Sequence, residues 1–143
     1  MTQENKYGKY VLRGPIGRTP HTEVFSPIVK LSSIDCWPGA KLSFRMSTIT
    51  SDFVMESKPH SHDYDAFMCF IGGNVMDYSE FDAEVELCLG DELEKQIIKE
   101  TSVVYVPAGL SHCPLIYRNV KKPIIFLHIF PESEYDRKPI AGK

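Results

Sequence analysis

Residues 59–73 read Pro59-His60-Ser61-His62-Asp63-Tyr64-Asp65-Ala66-Phe67-Met68-Cys69-Phe70-Ile71-Gly72-Gly73. His60 and His62 stand two apart, so on an extended strand both imidazoles project from one face. A strand presents two neutral nitrogens to a single divalent ion in this way. Asp63-Tyr64-Asp65 is a turn, and Ala66 to Ile71 is the returning strand, stopped by Gly72-Gly73. Further on, Pro107-Ala108-Gly109-Leu110-Ser111-His112 brings a third histidine to the start of another strand, behind a proline–glycine corner. His60, His62 and His112 are the candidate ligands of a metal pocket inside a small β-barrel.

The flanking sequence supplies the other strands. Lys41 to Thr50 alternates, with Leu42, Phe44 and Met46 on one face and Ser43, Arg45 and Ser47 on the other; the alternation predicts a half-buried strand. Before it, Val24 to Ile34 is a strand with an irregular end, and Cys36-Trp37-Pro38-Gly39 is a turn. Residues 1–20 are polar or turn-rich and form either a short strand at Tyr10 to Leu12 or an arm lying over the body or a partner subunit. After the histidine pair, residues 74–82 form a polar loop, and Glu84–Leu89 and Leu93–Ile98 make a hairpin about Gly90-Asp91-Glu92. Val103–Val106, His112–Tyr117 and Pro123–Phe130 complete the set. The last of these is apolar on both faces, so it should be covered on both, by the opposite sheet or by another subunit. Short strands punctuated by turns, with no amphipathic helix, predict an all-β sandwich or barrel. We divide the chain into an N-terminal arm (1–23), the barrel (24–131) and a charged C-terminal tail (132–143).

Composition narrows the function. A chain of 143 residues, 43% hydrophobic and 24% charged, suits one soluble globular domain. Its net charge of −3 gives nucleic acid or an anionic membrane nothing to attract, and no apolar run is long enough to span a bilayer. The polar start, Met1 to Lys6, does not read as a secretory leader. Cys36, Cys69, Cys88 and Cys113 are scattered without a Cys-x-x-Cys pair, which predicts reduced thiols in a cytoplasmic protein.

With both clusters placed, the chain resembles the cupin superfamily, and its small single-domain members in particular. Pro59-His60-Ser61-His62 with Gly72 resembles the first cupin motif, and Pro107-Ala108-Gly109-Leu110-Ser111-His112 the second. The resemblance covers roughly residues 40 to 130 and implies an antiparallel cupin barrel, the double-stranded β-helix or jelly roll. The chain departs from the pattern in three places. The glutamate of the first motif falls on Ala66 or Phe67, Thr101 stands where the second motif has glycine, and Ile116 where it has asparagine. Losing the glutamate leaves a neutral three-histidine set, with Asp65, on the opposite parity, and Glu56, separated from His60 by Lys58-Pro59, as the carboxylates weighed in its place. Such a set suits iron first, with zinc, nickel, manganese or copper as the other candidates, and disfavours magnesium or calcium, which prefer oxygen. Some thiol dioxygenases of the superfamily are similar in using three histidines and no glutamate.

The implied function is a metal-dependent enzyme acting on a small organic substrate, an aromatic or keto/enol acid able to chelate in two open positions. Dioxygenase chemistry comes first, then isomerase, decarboxylase or lyase chemistry. His128, on the closing strand, is expected to be an acid/base group, a fourth ligand or a packed core histidine. Met46, Met68, Phe70 and Phe126 are expected to form the apolar pocket wall. Arg45 and Lys41 either anchor a substrate carboxylate or lie on an exposed face, and Cys113 should point away from His112 by alternation. A homodimer is expected, through an edge strand or the two-sided strand near residue 126. The alternative from another class is a non-catalytic barrel that senses or stores a small ligand.

Overall fold

Short β-branched and aromatic runs, broken by glycine, proline and aspartate, fold into a structure made almost wholly of antiparallel strands. The computed structural model describes residues 5–134 and 138–139. One sheet runs β1 (Ile16–Gly17), β2 (Val24–Ser32), β3 (Ser43–Ile49), β11 (Ile124–Phe130), β6 (Ala66–Gly72) and β9 (Ser102–Val106). The other runs β12 (Lys138–Pro139), β5 (His60–Ser61), β10 (His112–Arg118), β7 (Glu84–Leu89) and β8 (Glu94–Ile98), with β4 (Phe53–Glu56) also paired to β10. The expected barrel is therefore a jelly-roll pair of facing sheets, and among the described residues no ladder closes it.

The core lies between the sheets. Ile124, Phe126 and Phe130 of β11 and Ala66, Met68 and Phe70 of β6 meet Val85, Leu87, Leu115 and Tyr117 from the other side. Phe70 and Phe126 stack 5.0 Å apart across the β6–β11 ladder, where they are direct partners. The predicted 84–98 hairpin is present, and Gly90 takes the positive φ (+80°) that its turn needs.

Two expectations are corrected. In β3 the inward face is Ser43, Ser47 and Ile49, all buried, while Met46 is 38% exposed on the outside. The cause is the register with β11, which sets Met46 beside Leu127 on the outer face and turns Ser47 and Arg45 to the interior. Alternation picks the wrong face because the inner side of β3 borders a polar cavity. The Ser43 hydroxyl is satisfied by donating to the Glu132 carbonyl at 2.7 Å. Tyr10 to Leu12 is not a strand; Gly8–Tyr10 makes a single 3-10 turn.

The arm is pinned to the body, since β1 pairs with β2 and the Trp37 indole donates to the Lys9 carbonyl at 2.7 Å. The expected tail of 132–143 lies largely outside the described residues, but Lys138–Pro139 within it pairs with Ser61–His60. No helix among the described residues is long and apolar enough to cross a membrane.

Candidate metal centre

Backbone hydrogen bonds bring the two histidine clusters together. His60 and His112 are direct partners where β5 meets β10. The loop before His112 is clamped to the turn after His62. Gly109 N–H donates to the His62 carbonyl (2.8 Å), and Ala108 N–H to the Asp65 carboxylate (2.9 Å). Gly109 sits at φ +86°, where a side chain would be strained, so the glycine of the second motif is a backbone requirement of this clamp. Asp65 therefore builds the turn and is not a ligand.

The result is a buried triad. His60, His62 and His112 are 6%, 3% and 2% exposed, and each offers one ring nitrogen lying within 4.8 Å of the other two. Metal–nitrogen bonds of about 2.1 Å need nitrogens roughly 3–3.5 Å apart, so only a small contraction separates this triad from a coordination face. The outward nitrogens are prepared for it. His60 Nδ1 lies 3.1 Å from the Lys58 carbonyl and His112 Nδ1 3.0 Å from the Leu110 carbonyl. A carbonyl only accepts, so each Nδ1 carries the proton and each Nε2 keeps its lone pair for an ion. Burial lowers the His112 pKa to about 4, against the Leu110 carbonyl, which raises it, and the His60 and His62 rings lower it further. The ring is neutral at physiological pH, the form that binds metal. Three neutral nitrogens fit a first-row transition ion.

The triad opens on a cavity of about 210 Å³, below the ~300–1,000 Å³ typical of sites for drug-sized ligands, so the occupant must be small. His60, His112 and His128 line it, with Met68 and Phe126 on the apolar wall. Phe70 is fully buried behind that wall, in contact with Phe126 and Tyr117, and does not reach the cavity; neither does Met46. The pocket assignments of Phe70 and Met46 are thus corrected. Phe70 has the inward parity but lies one layer too deep, and Met46 has the outward one.

His128 is enclosed by Phe126 and Phe130, with ring centroids 5.6 and 5.3 Å away, and its Nε2 is shut off from solvent. Burial, then the neighbouring histidines and Arg45, lower its pKa to about 3. It stands outside the nitrogen cluster, so the triad gathers without it as a fourth ligand.

The cavity also takes in residues that the sequence reading placed elsewhere or did not assign to it. Cys113 should alternate away from His112, but a bulge between His112 and Leu115, with Cys113 at φ +83°, turns it into the cavity. Glu56 reaches the cavity from β4, where its charge raises the His112 pKa. Thr19 and His21 come from the arm, which closes one side. Arg45 is the one of the two suggested cations that lines the cavity; it is exposed, stands beside His128 in the β3–β11 ladder, and forms no ion pair among the described residues. Thr101, in the place of a motif glycine, receives the Gly72 N–H (3.0 Å) and donates to the Tyr78 carbonyl, which ties the loop after β6.

No family model and no curated protein matches the chain. Solved structures do. An oxalate oxidase is similar at 13% identity and TM-score 0.54, over 87% of this chain and 59% of that one. The oxalate decarboxylase of Lactobacillus farciminis, solved as a formate complex, is similar at 13% identity and TM-score 0.58, over 87% of this chain and 33% of that one. An oxalate decarboxylase of Bacillus subtilis gives 14% identity and TM-score 0.52, over 90% and 34%. The chain thus spans between a third and three-fifths of the length of these structures. The likeness is one of fold: the chain has the cupin fold, with a three-histidine cluster at its centre.

Proposed function

We propose that the protein is a metal-dependent enzyme that binds a small organic acid, aromatic or keto/enol in type, against the three-histidine centre. Dioxygenase-type chemistry is the first reading, and isomerase, decarboxylase or lyase chemistry the next. One observation carries it: three buried histidines bring their ring nitrogens together beside a small cavity that two of them line, those two held by backbone carbonyls in the metal-binding tautomer.

Bound there, a divalent transition ion, iron by preference, supplies Lewis acidity and redox capacity. The remaining roles fall to the chain. Arg45, which lines the cavity and forms no ion pair among the described residues, holds the substrate carboxylate at the outer end of the cavity. Met68, Phe126 and Leu115 exclude water from the inner end. His128 is the acid/base candidate; with a pKa of about 3 its ring is neutral at rest, so it acts first as a hydrogen-bonding partner to the bound acid. Oxalate belongs in the substrate panel, because the fold neighbours handle it and it meets both requirements of size and charge. The described cysteines are all free, which fits a cytoplasmic protein, and we propose that it works as a homodimer on small molecules, without nucleic acid or membrane.

A second reading, ligand binding without turnover, draws on Ala66. This fully buried position holds no carboxylate where the motif expects one. The test is elemental analysis of wild-type protein beside His60→Ala and His112→Ala, followed by oxygen uptake and substrate loss over a panel of acids. About one equivalent of metal, absent from both variants, with consumption of an acid, supports the enzyme. Metal and tight acid binding without turnover favours the second reading, and a wild type that takes up no metal on reconstitution removes the centre altogether.

A further inference from the structure

We infer that Lys30 and Arg45 form a two-cation clasp at the outer end of the cavity, and that the substrate is a dicarboxylic acid reaching from the three-histidine centre to this clasp. The inference rests on the reading of that centre as the place where an acid binds. Lys30 of β2 and Arg45 of β3 are direct ladder partners, and the same row continues into His128 of β11 and Met68 of β6. Direct partners project to one side of a sheet, and Arg45, His128 and Met68 all line the cavity. Lys30 therefore stands on the inward row, one strand beyond Arg45, at the cavity's rim. Ile28, two residues before it on the same face, belongs to the lining as well.

Like charges set directly opposite each other across two strands repel. The chain carries 19 acidic residues against 16 basic ones, so carboxylates are plentiful enough to neutralise this pair. Yet both cations are exposed, and neither forms an ion pair among the described residues. The lysine is also held in position. Its backbone N–H donates to the Pro15 carbonyl (2.8 Å), and its side chain lies across Gly17 of β1. A Cβ at position 17 would overlap the Lys30 Cε and stand 3.1 Å from its Nζ. Gly17 does not sit at positive φ, so the backbone does not call for a glycine there; the space it leaves is filled by the lysine. The ammonium is thereby kept over the strand that leads to Thr19 and His21, both in the lining.

The distance between the two ends selects the ligand. His60 and His112 belong to β5 and β10, whereas Lys30 and Arg45 belong to β2 and β3 of the facing sheet. Facing sheets lie about 10 Å apart, so one carboxylate cannot chelate at the centre and also reach the clasp. A keto or enol acid with a second carboxylate a few carbon atoms away can do both. Oxalate, whose two carboxylates adjoin, is too short. Glu56 enters the cavity from the β10 side and repels a second carboxylate there, which favours the clasp as its seat.

The test is calorimetric titration of the wild type, Lys30→Met, Gly17→Ala and a control, Lys95→Met, exposed on β8 of the other sheet; each is used zinc-loaded and metal-free. The probes are 2-oxohexanedioate and 2-oxohexanoate, which differ in the far carboxylate, with oxalate as the short diacid. Wild type and control should bind the long diacid roughly 10- to 100-fold tighter than the monoacid, the range of charge-assisted hydrogen bonds. Lys30→Met should reduce that preference about ten-fold. Gly17→Ala, which keeps the charge and displaces it, should reduce it several-fold, and oxalate binding should be indifferent to both changes. Equal binding of diacid and monoacid by the wild type, no binding of either, or a preference that survives Lys30→Met overturns the clasp. Equal binding that requires zinc leaves the metal centre standing without the clasp. A diacid preference identical with and without zinc keeps the clasp and removes the metal from acid binding.

Discussion

At the scale of single residues, the cavity divides its work between a neutral inner end and a charged outer one. If Arg45 anchors a carboxylate, Arg45→Met should raise KM for acids roughly ten-fold, the worth of one charge-assisted hydrogen bond at a partly solvated site, while leaving kcat near wild type. Arg45→Lys should recover part of the loss. Steady-state kinetics on an acid and its methyl ester checks this, and an unchanged KM for the acid removes the anchor. His128 makes a separate, thermodynamic prediction. In the unfolded chain a histidine takes up a proton near pH 6.5, whereas burial holds folded His128 neutral down to about 3. Its neutral burial therefore contributes stability in full above about pH 6.5, and that contribution is lost as pH falls toward 3. His112, lowered to about 4, acts in the same direction. Urea midpoints of metal-free protein should fall with acidification over this window and fall less steeply for His128→Phe. Parallel curves would mean that His128 is not the group responsible.

At the scale of elements, the site depends on the clamp between two loops more than on the strands that carry the histidines. Gly109 is its weakest point, because its N–H reaches the His62 carbonyl only at a φ that L-residues avoid. Gly109→Ala should cost about 1–2 kcal/mol of stability and also weaken metal binding, since the strain is relieved by moving a loop joined to a ligand. Thermal unfolding and calorimetric metal titration separate the two effects. Lost stability with unchanged metal affinity would show that the clamp holds the fold and not the triad. The β10 bulge also works at this scale. One irregular residue puts Cys113 in the cavity beside His112, which a regular strand cannot do.

At the scale of the molecule, the triad gathers ligands from two segments far apart in sequence, so an ion at its centre links β5 to β10 through their side chains as well as their ladder. Metal binding to the native state alone should raise the melting temperature by roughly 10 °C at ligand concentrations about a thousand times Kd. A chelator should reverse the rise and His62→Ala abolish it; scanning calorimetry with and without metal is the check. An unshifted transition would mean that the triad does not hold the ion.

The sequence alone determined the class of the fold and the three histidines, for a local reason. Turn residues and short β-branched runs specify strands by near-neighbour chemistry, and a His-x-His spacing on any strand puts both rings on one face. The tertiary structure decided which face of each strand is the interior. For β3 the pattern pointed outward-facing Met46 inward, because a face lined by a polar cavity looks like a solvated one until the partner strand is known. Phe70 had the right parity, yet depth is a three-dimensional property that alternation does not carry. Glu56, Cys113, Thr19 and His21 reach the cavity through sheet crossing, a bulge and a folded-back arm, all set by long-range pairing. The three histidines were legible because a His-x-His spacing and a proline–glycine corner are local signals; the rest of the pocket was not, because it exists only once the two sheets face each other.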